Sequence, residues 1–393
     1  MRDGWVDYKF KDVATAIKGK LPKSKNEDGI GVPYLTASYL RSSQPDYWIE
    51  NLEGAVTAED GDCLILWDGA GAGDLFSARR GVVSSTMAVV TTQNSKILRE
   101  FLTLFISSKA DYIKETCRGT TVPHVSPDAI ANMELKIPPL PEQKRIVDLI
   151  SSVDTYIEAL QQQLESAKNS KSAYVNTIVS EIFARGKKTK IADIAEVKGG
   201  KRLPKGTPWS EEPTDHRYIR ATDIKDGIVL TENLVYVPDD VWPLISRYVV
   251  NQGDVVITIA GTIGQVGVIP TSLEGVNLTE NAAKIVVNKK LVRSNYLSML
   301  LGSNYYQQDI DSKTKKTTQP KLGLNMINSI EIPLPDLAEQ DEIFSVVSQI
   351  DTLIAGTNNL ILQTIALRTG LLSDLLSGVH EIPASYDKVI GAA

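Results

Sequence analysis

The chain has 393 residues, of which 42% are hydrophobic and 23% charged, the composition of a globular protein with room for two domains of ordinary size. It contains no run of 18 apolar residues and opens with the polar stretch "MRDGWVDYKF", so we expect neither a membrane span nor export. The formal net charge is −6, and residues 332–393 account for it with 2 basic and 8 acidic groups. Net charge therefore does not exclude nucleic acid as a partner.

Residues 1–136 are predicted to form a first globular region with strands first and a helix late. Short apolar runs at 61–67 ("GDCLILW") and 86–92 ("TMAVVTT") are typical of strands, and the first follows a Gly-Asp turn. Residues 97–115 carry apolar residues at helical spacing. This order of elements indicates the α+β class.

A long helix is predicted within residues 137–186. Pro141 and the prolines before it cannot continue a helix backwards, no proline or glycine interrupts Glu142 to Arg185, and Gly186 stands where a C-terminal cap belongs. At 1.5 Å per residue this helix would be roughly 65 Å long. Its apolar residues recur at steps of four and three, as in a coiled-coil seam, and are Ile146, Ile150, Val153, Ile157, Leu160 and Leu164, with Tyr174 and Ile178 after Lys171.

The region 187–331 repeats the first globular pattern. Strand-like runs at 253–261 ("GDVVITIAG") and 282–288 ("AAKIVVN") are followed by helical spacing over 294–310. A second globular region of the same α+β class is therefore predicted.

A second long helix is predicted within residues 332–378, before a tail at 379–393. Its seam positions are Ile343, Val347, Ile350, Ile354, Ile361, Leu371 and Leu375. Leu353, Leu360 and Leu367 widen the apolar face, which predicts packing on something besides the first helix. Lys171 and Arg368 share one seam position, where each could set the register or extend into water. The sequence by itself allows a parallel or an antiparallel helix pair.

The two helices belong to an internal repeat with an offset of 197 residues. Residues 142–157 match 339–354 without gaps and with seven identities, and the same offset aligns "TTVPHV" (120–125) with "TTQPKL" (317–322). The chain is therefore two copies of one unit, each a globular region followed by a helix.

No motif in the sequence amounts to a complete active site. The glycine-rich residues 69–76 lack the lysine of a phosphate loop and favour a turn. "PDAIANMELK" (127–136) is too short to place nuclease carboxylates on two strands. Cys63 and Cys117 stand at non-corresponding places in the two copies, which argues against a disulfide framework or a zinc site, and the three histidines are scattered.

Basic and polar residues instead concentrate in loops at matched places in the two copies. Residues 18–25 correspond to 198–206, and residues 117–124 to 312–321. Single surface lysines mostly face water, but these residue types also hold phosphates and read base edges. The candidate DNA-contacting residues are Lys18, Lys20, Lys23, Lys25, Arg79, Arg80, Arg118, Thr120, Thr121, His124, Lys198, Lys201, Arg202, Lys205, Arg217, Arg220, Lys313, Lys315, Lys316, Thr317, Thr318 and Lys321.

The arrangement resembles the specificity subunit of type I restriction–modification systems. "IPPLPEQKRIVDLISSVDTYI" from Ile137 and "IPLPDLAEQDEIFSVVSQIDTLI" from Ile332 are similar to that family's central and distal repeats. "RYIRATDI" from Arg217 and the Thr-Thr-x-Pro loops are similar to its target-recognition domains. The resemblance implies two recognition domains that each read half of a split DNA target. It also implies two helices that pair as an antiparallel coiled coil and set the gap.

The resemblance also implies the partners. These are double-stranded DNA, two methyltransferase subunits and restriction/translocase subunits, in a cytoplasmic phage-defence complex without a membrane. Adenine methylation would use S-adenosylmethionine in the methyltransferase, and cleavage would use ATP and magnesium in the restriction subunit. The chain itself is expected to be non-catalytic, with no cofactor or metal of its own. The acidic residues 332–393 leave open whether the two docking surfaces are equivalent.

Two other interpretations remain open. The chain could be the specificity partner of a fused restriction–methylation enzyme, which would differ in the partner rather than in this sequence. It could also be a coiled-coil interaction protein that does not bind DNA. Salt-dependent retention on heparin or DNA would argue against the second interpretation.

Overall fold

The computed structural model describes residues 4–119, 121–225, 227–314 and 320–387. It consists of two compact units, Met1–Gln161 with Asn359–Ala393 (unit 1) and Gln162–Asn358 (unit 2). The division falls inside both long helices, so each unit is assembled from stretches that are distant in sequence. The five sequence segments proposed above describe the order along the chain, and their boundaries stay predictions.

The first half of the chain ends in a helix of 45 residues. Its elements are β1 (Val6–Lys9), α1 (Phe10–Val13), β2 (Thr15–Lys18), β3 (Val32–Leu35), α2 (Ala37–Ser42), β4 (Trp48–Ile49), β5 (Thr57–Ala58), β6 (Cys63–Leu66), β7 (Leu75–Ser77), β8 (Gly81–Val83), β9 (Met87–Thr91), α3 (Arg99–Ser108), α4 (Ala110–Glu115), α5 (Pro127–Ala131), β10 (Glu134–Ile137) and α6 (Leu140–Ala184).

The second half ends in a helix of 41 residues. Its elements are β11 (Lys188–Lys190), α7 (Ile191–Ile194), β12 (Ala195–Gly199), β13 (Arg217–Ile219), β14 (Ile224–Lys225), β15 (Ile228–Val229), β16 (Val235–Tyr236), β17 (Val255–Thr258), β18 (Val266–Val268), β19 (Asn277–Leu278), β20 (Ala282–Val287), α8 (Ser294–Leu301), α9 (Asn304–Thr314), α10 (Leu324–Asn328), β21 (Glu331–Pro333) and α11 (Leu337–Ser377).

The two units share one sheet topology. Unit 1 has an antiparallel sheet in the order β2-β9-β6-β7, and unit 2 has the matching order β12-β20-β17-β18. Beside it, β3 pairs in parallel with β8 in unit 1, and β13 pairs in parallel with β19 in unit 2. The α+β prediction and the internal repeat are therefore confirmed at the level of strand order.

The ends of both long helices are part of each unit's core. In unit 1, Ile146 and Ile150 of α6 lie with Leu372 and Leu375 of α11 among buried residues of the globular region. In unit 2, Val179 of α6 lies in a core with Ile343 and Val347 of α11 and residues of strands β17 and β20. Each such side chain contributes about 1.5–3 kcal/mol when fully buried, so the helices stabilise the units as well as connect them.

Helix α6 spans Leu140–Ala184, within two residues of the predicted Glu142 to Arg185, but its buried face differs near the end. Val175, Val179 and Ile182 are buried, each one position after the residue that a strict heptad selects. Tyr174 and Ile178 are half-buried against the same core. A straight helix drifts by about 20° per heptad from a 3.5-residue repeat, and here it also packs against strands, so the predicted frame was wrong by one residue.

The same one-residue displacement occurs near the end of α11. Leu372 is buried where the heptad frame predicts Leu371, which is half-buried, while Leu375 is buried as expected. Thr357 and Thr364, which continue the heptad spacing of the seam with polar side chains, are buried. Leu353, Leu360 and Leu367 are exposed, so within each unit the wider apolar face is not used.

Within each unit the stretches of α6 and α11 run antiparallel. In unit 1, Asp154 contacts Arg368, while the earlier residue Ile146 packs in the same core as the later residue Leu375. In unit 2, the nitrogen of Lys171 lies 2.5 Å from Asp351, and Arg185 lies 2.7 Å from Glu339. As numbers rise along α6 they fall along α11, which confirms the antiparallel pair.

A buried glutamine anchors the start of each long helix in the same way. The side-chain amide of Gln143 donates to the carbonyls of Lys96 and Pro138, and its oxygen accepts from the amide of Leu98. Gln340, at the equivalent position of α11, makes the same three bonds with Leu291, Pro335 and Arg293. Both side chains are fully buried.

Helix α11 is long and apolar enough to cross a membrane by length and composition alone, with a mean hydropathy of 1.2 over 18 residues. The expectation of no membrane span rested on an uninterrupted apolar run, which α11 does not contain. A single helix of this kind is weak evidence of a membrane span, because core helices of folded proteins pass the same test of length and hydropathy. Ile343, Val347 and Ile361 of this helix are buried inside the protein.

Candidate nucleic-acid interface

Four loops of unit 1 meet at one end of the sheet β2-β9-β6-β7. The amide of Gly19, just after β2, donates to the carbonyl of Met87 at 2.8 Å, and Gly69, in the β6–β7 turn, donates to Pro123 at 2.9 Å. Loops that are far apart in sequence thus form one surface. The loop cluster of unit 1 comprises residues 18–25, 67–74, 84–86, 117–119 and 121–125.

Unit 2 builds the same surface from the equivalent loops. Lys201 donates from its amide to Leu278 at 2.9 Å, Ile259 donates to Asn281 at 2.7 Å, and Leu322 donates to Ile259 at 2.9 Å. The loop cluster of unit 2 comprises residues 198–206, 259–264, 279–281 and 320–322. The structure therefore brings together the two basic stretches of unit 1 that the sequence had singled out separately, and in unit 2 it brings residues 320–322, the described end of the second stretch, to the first.

One glycine in each unit allows the basic loop to approach the neighbouring backbone. A Cβ at Gly19 would lie 2.2 Å from the carbonyl oxygens of Val83 and Ser84, and a Cβ at Gly200 would lie 2.1 Å from that of Thr279. No side chain fits at these distances, so glycine is required there. The close approach places the lysines that follow each glycine beside the loop after the parallel strand.

In unit 1, the lysines after Gly19 lie on the open side of the loop cluster. Lys20 and Lys23 are exposed, and the nitrogen of Lys25 lies 3.4 Å above the ring of Tyr47. Lys18 is paired with Asp68 at 2.5 Å, so part of its charge is already compensated within the protein. Lys20 and Lys23 are therefore the stronger candidates for phosphate contacts.

The second basic stretch of unit 1 forms a small hairpin. The amide of Arg118 donates to His124 at 2.9 Å, and that of His124 donates back to Arg118 at 2.8 Å. Arg118, Thr121 and His124 are exposed on this hairpin, while Thr120 lies outside the described residues. The hairpin thus places a cation and hydrogen-bonding groups at the edge of the loop cluster.

Arg79 and Arg80 do not lie with the other candidates of unit 1. They follow β7 next to Asp62, at the end of β6 opposite the β6–β7 turn. Arg79 donates to the hydroxyl of Ser43 at 3.2 Å, and the amide of Arg80 donates to Asp60 at 2.8 Å. Their placement gives no support to the DNA-contacting role that the sequence suggested.

In unit 2, the lysines after Gly200 are accompanied by aromatic rings. The nitrogen of Lys201 lies 5.8 Å from the ring centre of Tyr248, and Lys205 is exposed. Arg202 is paired with Glu280 at 2.8 Å. The hydroxyl of Tyr218 donates to the carbonyl of Lys201 at 2.9 Å, and burial raises the pKa of Tyr218 to about 12. Tyr218 therefore stays protonated and holds the loop.

Several candidate cations of unit 2 are bound within the protein. Arg220 forms a two-bond pair with Asp223, and the guanidinium of Arg217 donates to the carbonyl of Ser272 at 2.5 Å. Lys198 pairs with Glu196, two residues back on its strand, and Lys313 pairs with Asp309, one helical turn back. Lys321, within the loop cluster, is exposed. The predicted contacts Lys315, Lys316, Thr317 and Thr318 lie outside the described residues.

Sequence reasoning missed a charged group at the β6–β7 turn of unit 1. Asp74 lies 2.7 Å from Arg41 and 2.9 Å from Lys114, and the hydrogen bond from Lys114 lowers the pKa of the Asp74 carboxyl. These residues come from three separate elements, and no local signal connects them. The glycine-rich stretch that the sequence assigned to a turn is this turn, so it contributes shape to the surface.

Within the described ranges, no group of three or more His, Cys, Asp or Glu side chains is arranged to hold a metal ion. The loop clusters instead present lysines, an arginine, hydroxyls and backbone turns on exposed surface. Such groups bind phosphates and base edges. The arrangement in each unit is thus chemically suited to one stretch of nucleic acid.

Comparison with known proteins points to the same chemistry. The family model of the type I restriction modification DNA specificity domain matches residues 2–169 and again 186–365. The MjaVIII specificity subunit of Methanocaldococcus jannaschii, a type I restriction enzyme component, is 25% identical over 375 residues, covering 90% of this chain and 87% of its own. The EcoBI specificity subunit of Escherichia coli is 23% identical over 440 residues, covering 99% and 92%.

Solved structures show the same fold. The S subunit of a type I restriction–modification system from M. genitalium has a TM-score of 0.58 at 15% identity, covering 95% of this chain and 96% of its own. A chain from a study of complex assembly and conformational transition of a type I system has a TM-score of 0.62 at 16% identity, covering 96% and 98%. Since the family's domain matches twice and covers most of the sequence, the chain belongs to the type I restriction modification DNA specificity family.

Proposed function

We propose that this chain is the DNA specificity subunit of a type I restriction–modification complex, and that each unit reads one half of a bipartite target. The observation that carries the proposal is the loop cluster, which is built once in each unit on the same strands. The two clusters carry different side chains, so the two half-sites differ in sequence. The target is then split and asymmetric.

In this proposal the paired helices set the separation of the half-sites. The 45 residues of α6 correspond to about 68 Å of helix, comparable with two turns of duplex DNA at about 34 Å each. The buried seam within unit 1, where Ile146, Ile150 and Ile157 of α6 are covered, supports paired helices as the spacer.

The proposed partners are two methyltransferase subunits that dock on the helices, with restriction/translocase subunits completing the complex. Exposed Leu353, Leu360 and Leu367, at intervals of seven along α11, support a docking surface on this helix. S-adenosylmethionine would belong to the methyltransferase, and ATP and magnesium to the restriction subunit. The chain contributes recognition rather than catalysis, in a cytoplasmic complex for phage defence.

The test is co-purification with the methyltransferase subunit from the same locus, followed by methylation sequencing of host DNA. A bipartite adenine-methylated motif that disappears when the gene is deleted is the expected result. An unchanged methylome, with an active methyltransferase present, would overturn the proposal. Co-purification with a single fused restriction–methylation enzyme would reassign the partner while keeping the recognition role.

Retention on a DNA column adds a direct measurement. Phosphate contacts release counterions, so binding by exposed lysines should weaken steeply as salt rises. A chain that acts only as a coiled-coil interaction protein would pass through the column at every salt concentration.

A further inference from the structure

One leucine occupies the same place in both basic loops but has opposite surroundings. The loops read "KGKLPK" from Lys18 and "KGGKRLPK" from Lys198, so Leu21 corresponds to Leu203. Leu203 is 7% exposed and packs with Tyr218 and Ile245. Leu21 is 81% exposed. The loop of unit 1 thus presents an aliphatic side chain that unit 2 buries.

The loop that carries Leu21 is held at both ends. Gly19 is bonded to Met87 and pressed against the backbone at Ser84, as described above. At the other end, Asn26 exchanges two backbone hydrogen bonds with Trp48, at 3.0 and 2.9 Å. Pro22 further restricts the backbone of the preceding residue. Leu21 is therefore held in place on a short, anchored tip.

A second apolar side chain lies on the neighbouring loop of the same cluster. Val122, at the turn of the 118–124 hairpin, is 59% exposed. In the second copy the equivalent position in sequence is Gln319, which lies outside the described residues. A single exposed aliphatic residue is common on protein surfaces. Two on adjacent basic loops, in one copy and not in the other, give the loop cluster of unit 1 a distinct chemical character.

Building on the proposed function, we propose that unit 1 reads thymine through Leu21, with its side chain against the C5-methyl group in the major groove, and that Val122 extends this apolar contact. The thymine methyl is the one apolar group on a base edge, and aliphatic side chains are its usual partners. Unit 2, whose equivalent positions are a buried leucine and a glutamine, reads its half-site by polar contacts.

The flanking charges favour contact at the groove edge over insertion between base pairs. Lys20, Lys23 and Lys25 surround Leu21 within five positions and are all exposed. Exposed lysines of this kind hold the phosphates on either side of a groove, which sets the loop over the base edges. Leu21 then reaches the base edge and no further.

The first experiment is methylation sequencing of a host strain that carries Leu21→Ala in the full chain. The expected result is a motif unchanged in one half-site and degenerate at a single A·T position in the other. Leu52→Ala is the matched control, because Leu52 is 42% exposed in the same unit and lies outside the loop cluster. An unchanged motif with unchanged occupancy for Leu21→Ala overturns the proposal.

The second experiment uses the purified complex and duplexes in which deoxyuridine replaces thymine, one position at a time. Uracil keeps the pairing and removes only the methyl group. Loss of one buried methyl contact should lower wild-type affinity about 4-fold at one position of the unit 1 half-site. The Leu21→Ala complex should be insensitive to that replacement.

The outcomes separate this inference from the proposed function. A Leu21-dependent loss of affinity that is equal for thymine and uracil indicates insertion or sugar contact and overturns the thymine reading. A unit 1 half-site that contains no A·T pair would also overturn the proposed reading of thymine. If no motif depends on the chain at all, the proposed function itself fails, whatever Leu21 does.

Discussion

Arg368 of α11 binds Asp154 of α6 through two nitrogen atoms, with the second at 2.8 Å from the carboxylate. Shifting both numbers by the repeat offset gives Asp351 and Lys171, which form the equivalent pair at 2.5 Å in unit 2. One ion pair is thus made twice with the helices exchanged. Both basic seam residues are thus paired across the two helices, and we predict that these pairs set the register of the antiparallel pair.

Reversing one charge of this pair should destabilise unit 1. Arg368→Asp places two carboxylates together, and we expect the free energy of unfolding to fall by about 1 kcal/mol, since both side chains are only partly exposed. Adding Asp154→Arg should restore most of this loss, as measured by urea denaturation in a double-mutant cycle.

Lys144→Asp, an equal change of charge at an exposed position of α6 in unit 1, serves as the matched control and should have little effect. If the Asp154→Arg, Arg368→Asp double variant is no more stable than the single variants, the pair does not set the register.

The buried glutamines at the helix starts should be among the least replaceable polar residues. Gln143→Ala would leave two carbonyls and one amide without partners in a buried site, which should cost at least about 2 kcal/mol. Gln340→Ala should cost a similar amount in unit 2. Gln161→Ala, at an exposed position of the same helix, is the control. Equal stability of Gln143→Ala and Gln161→Ala in thermal or urea unfolding would show that water replaces the lost bonds.

Removing the exposed lysines of one loop cluster should weaken DNA binding without affecting the fold. Lys201→Ala with Lys205→Ala should lower affinity and reduce the slope of log K against log salt by about 2, one for each phosphate contact. Lys289→Ala with Lys290→Ala removes equal charge beyond the opposite end of β20 and is the control. If both double variants lose the same affinity, the effect is one of net charge and not of the loop cluster.

The two cysteines should differ sharply in reactivity. Burial raises the pKa of Cys63 to about 12, with a smaller effect from Asp62, and burial also raises the pKa of the half-buried Cys117. At pH 8 a thiol-specific reagent should modify Cys117 first and leave Cys63 unmodified until the protein unfolds. Rapid modification of both thiols in the folded protein would contradict the buried placement of β6.

The raised pKa of Cys63 also predicts a direction for alkaline stability. The folded protein keeps this thiol protonated, while the unfolded chain loses the proton near the ordinary pKa of 9.0. Stability contributed by this group is therefore complete below about pH 9 and falls as the pH rises toward 12. Cys63→Ala should show a shallower decline of the free energy of unfolding over that interval, whereas Cys117→Ala should change it less.

The α+β class, the internal repeat and both long helices followed from the sequence, because strand alternation, heptad spacing and proline or glycine boundaries act over a few residues. The heptad frame is displaced by one residue at Tyr174, Ile178 and Leu371, where the paired helices also pack on the globular core. Local periodicity does not contain that change of neighbour.

The basic loops of the candidate site were also visible in the sequence, but their roles were not. Only the tertiary structure distinguishes the exposed Lys20 and Lys205 from Lys18 and Arg202, which are paired with carboxylates from other loops. It also places Arg79 and Arg80 at the wrong end of the sheet for the proposed surface.

Leu21 and Leu203 show most clearly which properties follow from the sequence and which depend on tertiary packing. Two equivalent basic loops, each with a leucine before a proline, are already visible in the amino-acid sequence. Whether that leucine is buried or presented to a ligand was decided by the packing around it, with Tyr218 and Ile245 covering it in unit 2 alone. Exposure depends on contacts between segments far apart in the chain, so only the folded structure could decide it.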